Sequence, residues 1–193
     1  MLTFLGYTLV FLALLVSLYL VIRPEASSRS FLRTAAMGTQ SSPFLLLSLS
    51  FIFEATSLDL VSSYVGEGLP LFYRISAVWG SRSGPLLMWA SMMSVIAWLM
   101  SRDRKTDAET IRVMHFWTLL LLLISAGLRP FSPAIPGSAG EISPLLQTDL
   151  MVIHPPVVFV YYSLCLATAS IAVSGLIRSR PSNETHASMI PWA

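Results

Sequence analysis

Long apolar runs, separated by short polar segments, dominate the hydrophobic pattern of the chain. Uncharged stretches cover residues 1–22, 34–53, 83–101, 113–128 and 150–177. A helix that crosses a bilayer needs about 20 mostly apolar residues, so the pattern predicts an all-α, polytopic membrane protein with about five spanning helices. We expect a single membrane domain over 1–193, with helices near 2–22, 43–62, 84–101, 113–130 and 152–177.

Composition supports this prediction and excludes other classes of protein. Apolar residues make up 54% of the chain and charged residues only 11%, whereas an ordinary globular domain carries roughly 25% charge. A net charge of +2 without a basic stripe argues against nucleic-acid binding. The lone Cys165 cannot form an intrachain disulfide and is predicted to pack as a small hydrophobic residue.

Basic residues predict the orientation of the helices. The first run lacks a basic leader and a small-residue cleavage site, so we expect a retained anchor rather than a signal peptide. One side of the membrane receives nine Lys and Arg residues and the other only Arg74, Arg82 and Arg129. The positive-inside rule then places the amino terminus and connections 63–83 and 131–151 outside, and the carboxyl terminus inside. The basic cluster at Arg102, Arg104, Lys105 and Arg112 is interpreted as a topology determinant that contacts membrane lipid.

Aromatic residues fill the first outward connection and the start of the next helix, at Phe72, Tyr73, Trp79 and Trp89. Such rings are typical of the interfacial belt of any membrane protein. They also fit a flat apolar platform for a planar ligand. Arg74 and Arg82 flank the platform, and guanidinium groups bind carboxylates, so the second interpretation predicts anionic substituents on that ligand.

The second outward connection leads into His154, which precedes Pro155 and Pro156. The residue before a proline is disfavoured in helical conformation, so we expect His154 at the very start of the fifth helix, at the outer boundary of the membrane. A neutral imidazole there is able to ligate a haem iron or another metal. The alternative is an ordinary interfacial polar residue.

Other polar residues support weaker hypotheses. Glu54 and Asp59 are expected in the second helix, where an acid inside the membrane suggests a function, but their spacing does not place them on one face. The alternative for Glu54 is a neutral or hydrogen-bonded side chain. His115 and His186 are expected at solvated or interfacial positions.

Two motifs, in order and on the same predicted side, resemble a known family. The first is Leu-Pro-x-x-Tyr-x-x-Ser-Ala-x-Trp-Gly at residues 69–80, with Gly84 and Leu-Leu-x-Trp after it. The second is Pro-Leu-Leu-Gln at 144–147, ahead of Ile-His-Pro-Pro at 153–156. Together they resemble the amino-terminal part of the cytochrome c haem lyases of the CcmF type, over essentially the whole chain.

The resemblance implies a haem-handling subunit of a membrane cytochrome c maturation complex, in which haem vinyl groups form thioethers with apocytochrome c. It implies that His154 is an axial ligand of the haem iron, and we add Tyr73, Arg74 and Trp79 as haem contacts. The family's tryptophan-rich WWD segment is not in this sequence, so a partner chain is expected to supply it, and the chain is not expected to act alone. The alternative is a truncated or shortened homologue. A haem chaperone is a further expected partner, and the membrane is bacterial or archaeal cytoplasmic, or mitochondrial inner.

Two rival hypotheses remain from the residues themselves. The chain is a non-catalytic scaffold whose His154 is structural, or it is a small transporter or quinone-site protein that uses Glu54 and Asp59. The scaffold predicts that His154 tolerates Asn or Gln. The transporter predicts that Glu54 is essential.

Overall fold

A computed structural model of the chain describes residues 1–66, 68–103, 106–137, 140, 142–144 and 147–192. These residues form helices, and their only β-type pairing is an isolated bridge between Leu58 and Pro133. Short 3₁₀ helices lie at Pro24–Ser28 and Ile190–Trp192. The α-helices are α1 (Leu2–Ile22), α2 (Ser30–Ile52), α3 (Asp59–Tyr64), α4 (Leu71–Gly80), α5 (Gly84–Met100), α6 (Ala108–Gly127), α7 (Asp149–Ile177) and α8 (Ser182–Met189). The predicted all-α membrane protein is confirmed.

Four long helices form the centre of the fold. Helix α1 packs against α2 and α6, and α5 closes the ring by packing against α2 and α6. Helix α7 lies outside this ring against α5 and α6, and α4 contacts α2, α5 and α7. We call the end where α1, α5 and α7 finish the basic end, and the opposite end, which carries α3 and α4, the aromatic end.

Within the described residues, three helices are long and apolar enough to cross a membrane: α1, α6 and α7. The pair α4 and α5 meets at a bend of 89°, and counting it as one span raises the number to four. Helix α2 is long enough, with 23 residues, but is not apolar enough to be counted among them. Its first half is too polar, because Arg33, Thr34, Gln40 and Ser41 lie there.

The second helix differs from the expected 43–62. It begins at Ser30, contains Pro43 in its interior and ends at Ile52. The polar residues before Pro43 are helical because side chains on other helices are hydrogen-bond partners for them. A prediction from apolar runs alone does not include such partners. Beyond Ile52 the chain turns at Glu54, whose φ of 51° lies in the left-handed region, and Asp59 begins the separate helix α3.

A polar cluster joins three helices inside the bundle. The Gln40 amide nitrogen donates to Ser17 Oγ over 2.9 Å and lies 3.1 Å from His115 Nδ1. His115 is 5% exposed, so its expected solvated or interfacial position is wrong. Hydrogen bonds between side chains replace the water that these groups lose in a membrane, and they fix the contact of α1, α2 and α6.

Asp107 fastens α6 to the end of α7 at the basic end. Its carboxylate caps α6 by accepting from the Thr110 N–H over 2.8 Å, accepts from Ser174 Oγ over 2.9 Å and pairs with Arg180 over 2.6 Å. Burial disfavours the charged form, but these partners outweigh burial and hold the pKa of Asp107 below its ordinary value of 3.8. Arg104 and Lys105 of the predicted basic cluster lie outside the described residues.

Asp107→Asn is expected to lower the free energy of unfolding by about 2 kcal/mol, because the amide loses both the charge opposite Arg180 and one acceptor. Since the folded pKa is depressed, the stabilisation is complete above pH 3.8 and disappears as the pH falls through the folded value. Thermal unfolding of the detergent-solubilised chain at pH 7 measures the change. Glu184→Gln, on the exposed face of α8, is the matched control and should leave the transition unchanged.

The connection between α2 and α4 is hydrogen-bonded to the connection between α6 and α7 at the aromatic end. The Asp59 N–H donates to the Ser132 carbonyl and the Ala134 N–H donates to the Ser57 carbonyl, both over 2.9 Å. Further along, the Ile142 N–H donates to the Tyr64 carbonyl over 3.0 Å. These backbone bonds hold the described part of the connection between α6 and α7 against the segment that contains α3.

Candidate functional site

The candidate site lies at the aromatic end, where α4 meets the beginning of α7. A tight turn orients α4: Ser81 Oγ donates to the Val78 carbonyl over 2.7 Å and accepts from the Gly84 N–H over 3.2 Å. A Cβ atom at Gly84 would collide with the Val78 carbonyl oxygen, so only glycine fits this position. The turn directs α4 across the end of the bundle and brings it against α7.

Trp79 connects α4 to the proline-containing part of α7. Pro155 has no N–H, so the carbonyl of Met151, one turn earlier, lacks its usual helical partner. The Trp79 indole N–H donates to that carbonyl over 2.7 Å. The Trp-Gly and His-Pro-Pro motifs are therefore joined by one hydrogen bond. Trp79 supplies the donor that the helix carrying His154 lacks at Pro155.

His154 lies inside α7 rather than at its start, which corrects the expected position. The helix begins at Asp149, where the Thr148 side chain caps it by accepting from the Met151 N–H. Pro155 and Pro156 both lie within the helix. The hydrogen bond from Trp79 to the Met151 carbonyl replaces the one that Pro155 cannot donate. The His154 side chain is exposed.

The exposed imidazole lies on an apolar stretch of α7. Leu150 is 71% exposed, Ile153 63% and Val157 60%, at the spacing of one helix face. On α4, Phe72 is 70% exposed. A large apolar surface with one imidazole therefore remains uncovered at this end of the described chain.

A groove of about 440 Å³ separates α4 from α7. Tyr73 and Phe72 form one wall, and Ile153, which precedes His154, belongs to the other. Asp149 supplies a carboxylate within an otherwise apolar lining. Tyr73, for which the sequence predicts a ligand contact, lines this groove, whereas no such prediction was made for the α7 residues that line it, for which the apolar spacing before His154 is the available signal.

Arg74 and Arg82 are engaged inside the chain. Arg74 pairs with Glu54 over 2.6 Å and donates to the Leu69 carbonyl over 2.6 Å. Arg82 pairs with Asp59 over 2.7 Å. The structure thus gives both guanidinium groups protein partners where the sequence analysis expected ligand carboxylates, and it places Glu54 beyond the end of α2 rather than within a spanning segment.

The four aromatic residues that were expected to form one platform lie in three separate places. Phe72 and Tyr73 border the groove and Trp79 lies in the joint between α4 and α7. Trp89 lies deeper, with its ring centroid 5.7 Å from that of Phe159. Only the first two rings lie beside the groove.

Metal ligands are sparse at this site. No group of three or more His, Cys, Asp and Glu side chains that is suited to a metal ion occurs in the described part of the chain. His154 is a single exposed imidazole, which suits one axial position of a haem iron better than a metal held by protein groups alone.

Comparison with known proteins identifies the family. The sequence profile described as "Cytochrome C assembly protein" matches residues 79–191. The chain is 29% identical over 181 residues to the cytochrome c-type biogenesis protein CcmF of Escherichia coli (strain K12), covering 88% of this chain and 28% of that protein. It is 25% identical over 158 residues to the cytochrome c-type biogenesis protein NrfE of Haemophilus influenzae, covering 76% of this chain and 24% of that protein.

The chain spans about a quarter of the length of these curated relatives. No solved structure gives a significant match. The matched region contains Trp79 and the His-Pro-Pro motif of α7, which the structure brings together. Because the profile covers more than half of the chain, the chain belongs to the cytochrome c assembly protein family.

Proposed function

We propose that this chain is a haem-handling subunit of a membrane cytochrome c maturation complex, with His154 as an axial ligand of the haem iron. The observation that carries the proposal is the exposed His154 imidazole on an uncovered apolar face of α7. Lipid covers the exposed apolar residues of a spanning helix, so the imidazole among them is the feature that suggests a ligand.

The residues fit one face of a haem. A neutral imidazole supplies the iron ligand. Leu150, Ile153 and Val157 offer apolar surface to the macrocycle, and burial contributes roughly 25 cal/mol for each Å² of apolar area. Phe72 and Tyr73 line the groove, which shares Ile153 with this surface.

Charge near the groove limits how the haem is oriented. Asp149 lines the groove, and its carboxylate would repel the propionates of a bound haem. Arg74 fixes the position of α4 through its ion pair with Glu54. Trp79 fixes the position of α7 through its hydrogen bond to the Met151 carbonyl. We assign both as positioning residues, and we assign Tyr73 to direct apolar contact.

The chain's role in the reaction is positioning. Haem supplies the vinyl groups that form thioethers with the cysteine thiols of apocytochrome c. His154 and the α7 face would hold the cofactor at the aromatic end, which we assign to the outer side of the membrane. A partner chain with the tryptophan-rich segment would complete the haem site, and a haem chaperone would deliver the cofactor.

His154→Ala tests the proposal. We expect the complex purified on this chain to lose at least nine-tenths of its haem, measured by absorption and haem stain, while its subunits assemble normally. His186→Ala removes a histidine from α8 at the basic end and should retain the wild-type haem content.

The scaffold hypothesis predicts a different pattern. If His154 is structural, His154→Gln keeps its haem content and the His154→Ala complex either retains haem or fails to assemble. The transporter hypothesis loses the feature on which it rests, because Glu54 and Asp59 lie at the aromatic end in ion pairs with Arg74 and Arg82.

A further inference from the structure

One side of α7 is exposed along most of the helix. The buried side, where α5 and α6 pack, consists mainly of small residues. On the opposite side His154, Tyr161 and Cys165 are all exposed, and they follow one another at intervals of seven and four residues. This spacing places the three side chains above one another on a single helix face. The exposed face of α7 therefore continues from the candidate site toward the basic end.

Tyr161 lies in the middle of the span rather than at the membrane surface. The hydrogen bond from Trp79 to the Met151 carbonyl marks the aromatic end of α7, and the contact of Ser174 with Asp107 marks the basic end. A helix rises 1.5 Å per residue, so Tyr161 is about 15 Å from Met151 and about 20 Å from Ser174 along the axis. The apolar core of a bilayer is about 30 Å thick, and belt tyrosines lie at its two edges. An interfacial belt does not explain a tyrosine at this depth.

The Tyr161 hydroxyl needs a better partner than lipid provides. Tyr161 is 62% exposed, and its ring is held 5.9 Å from the ring of Tyr162, which packs against Trp89 of α5. The hydroxyl interacts with the Cys165 thiol, but sulfur is a weak hydrogen-bonding group. Acyl chains have no acceptor, and a polar group without a strong partner is costly in hydrocarbon. Tyr161 therefore indicates a protein surface, and not lipid, beside this face.

The surface next to Tyr161 suits a second helix. Cys165 and Ala169 follow it at intervals of one turn, and both are exposed. Side chains of this size allow two helices to approach closely in a membrane, and a hydroxyl beside them gives the contact a hydrogen bond. Cys165 thus contributes to an outer surface of the chain instead of its core.

The lengths of the relatives indicate where such a helix comes from. The matched region is 28% of the Escherichia coli CcmF and 24% of the Haemophilus influenzae NrfE, so most of each relative has no counterpart in this chain. This remainder favours a helix from a different sequence over a second copy of the same chain. Because His154 lies on the same face, a helix beside Tyr161 would also border the proposed haem site.

We propose that the face of α7 that carries Tyr161 and Cys165 packs against a spanning helix of the polypeptide that corresponds to the remaining length of these relatives. The Tyr161 hydroxyl donates a hydrogen bond to an oxygen atom of that helix, and Ala169 allows its close approach. The inference rests on the depth and exposure of Tyr161 and on family membership, and it holds whether or not His154 ligates haem.

Site-specific photocrosslinking in cells that contain the full complex tests the proposal. The photoreactive residue p-benzoylphenylalanine replaces Tyr161, and the products formed on illumination are identified by mass spectrometry. We expect a product that joins this chain to a spanning helix of a polypeptide that matches the remainder of CcmF. The same residue in place of Leu12, which is 43% exposed in the middle of α1, should not give this product. Products with lipid alone, with a second copy of this chain or with an unrelated protein would overturn the proposal.

Variants of the same face measure its contribution to assembly. We expect copurification of the partner polypeptide to fall about threefold with Tyr161→Phe, the effect of one hydrogen bond between membrane helices. Ala169→Phe blocks the close approach and should lower it roughly tenfold or more. Both residues are exposed in this chain, so its own yield should not change.

Two controls match these variants on α1. Tyr19→Phe removes a hydroxyl from a residue that is 50% exposed near the basic end, and Leu12→Phe adds a ring to an exposed position. Both should leave copurification at the wild-type level, as should His154→Ala, which separates this test from that of haem ligation. Wild-type copurification of Tyr161→Phe and Ala169→Phe would overturn the proposed contact.

Discussion

Gly84→Ala should prevent the chain from reaching its folded state. The added Cβ would overlap the Val78 carbonyl oxygen and would also meet Ser81 Oγ at 2.8 Å. Neither α4 nor α5 can retreat, because the 89° bend between them is made by this turn. We expect destabilisation on the order of 3–5 kcal/mol, the range of severe steric substitutions.

The measurement is the fraction of detergent-extracted chain that elutes as a single monodisperse species, followed by thermal unfolding. Gly38→Ala is the matched control, because nothing lies within 4 Å of a Cβ at that position in the middle of α2. Alanine favours a helix interior over glycine, so this variant should gain about 0.5–1 kcal/mol. Normal yield and melting of Gly84→Ala would contradict the close approach of α4 and α5.

Phe72→Ala is expected to weaken haem retention roughly 10- to 150-fold. The ring is 70% exposed at the groove, so its removal costs the free chain little stability. In the haem complex the ring is buried, so its removal costs the free energy that a buried aromatic side chain contributes, about 1.5–3 kcal/mol. The difference between those two states appears as weaker binding.

Haem titration of the purified complex measures this effect. Phe4→Ala is the control, because Phe4 is 79% exposed at the start of α1 and lies outside the groove lining. It should bind haem like the wild type. Equal affinity of the Phe72→Ala and wild-type complexes would show that α4 does not contact the ligand, and would restrict the proposed surface to α7.

Apolar periodicity predicted the helical membrane fold, because lipid-facing and core-facing residues both leave long uncharged runs. It failed at α2, where Gln40 and Ser41 are polar in sequence yet buried among partners on other helices. Such partners come from residues distant in the chain. Local pattern therefore placed the helix start at Pro43 instead of Ser30.

The candidate site was predictable in its motifs and not in its contacts. The resemblance of the two motifs, and not their spacing, assigned His154, Tyr73 and Trp79 to one haem site. Local rules place a residue before proline at a helix boundary, but the hydrogen bond from Trp79 to Met151 lets α7 continue through Pro155. Arg74 was assigned to a ligand because it flanks the aromatic residues of the first outward connection, whereas the structure pairs it with Glu54 at the left-handed turn after α2.

The most direct test of the central proposal is rescue of a His154→Gly complex by imidazole. A ligand role predicts that the variant complex assembles, lacks haem in buffer alone and regains both haem and a low-spin absorption spectrum when imidazole is added. Free imidazole replaces the missing ligand in the space that the exposed side chain vacates on α7. A complex that keeps its haem without imidazole, or that assembles but stays empty with it, would contradict ligation by His154.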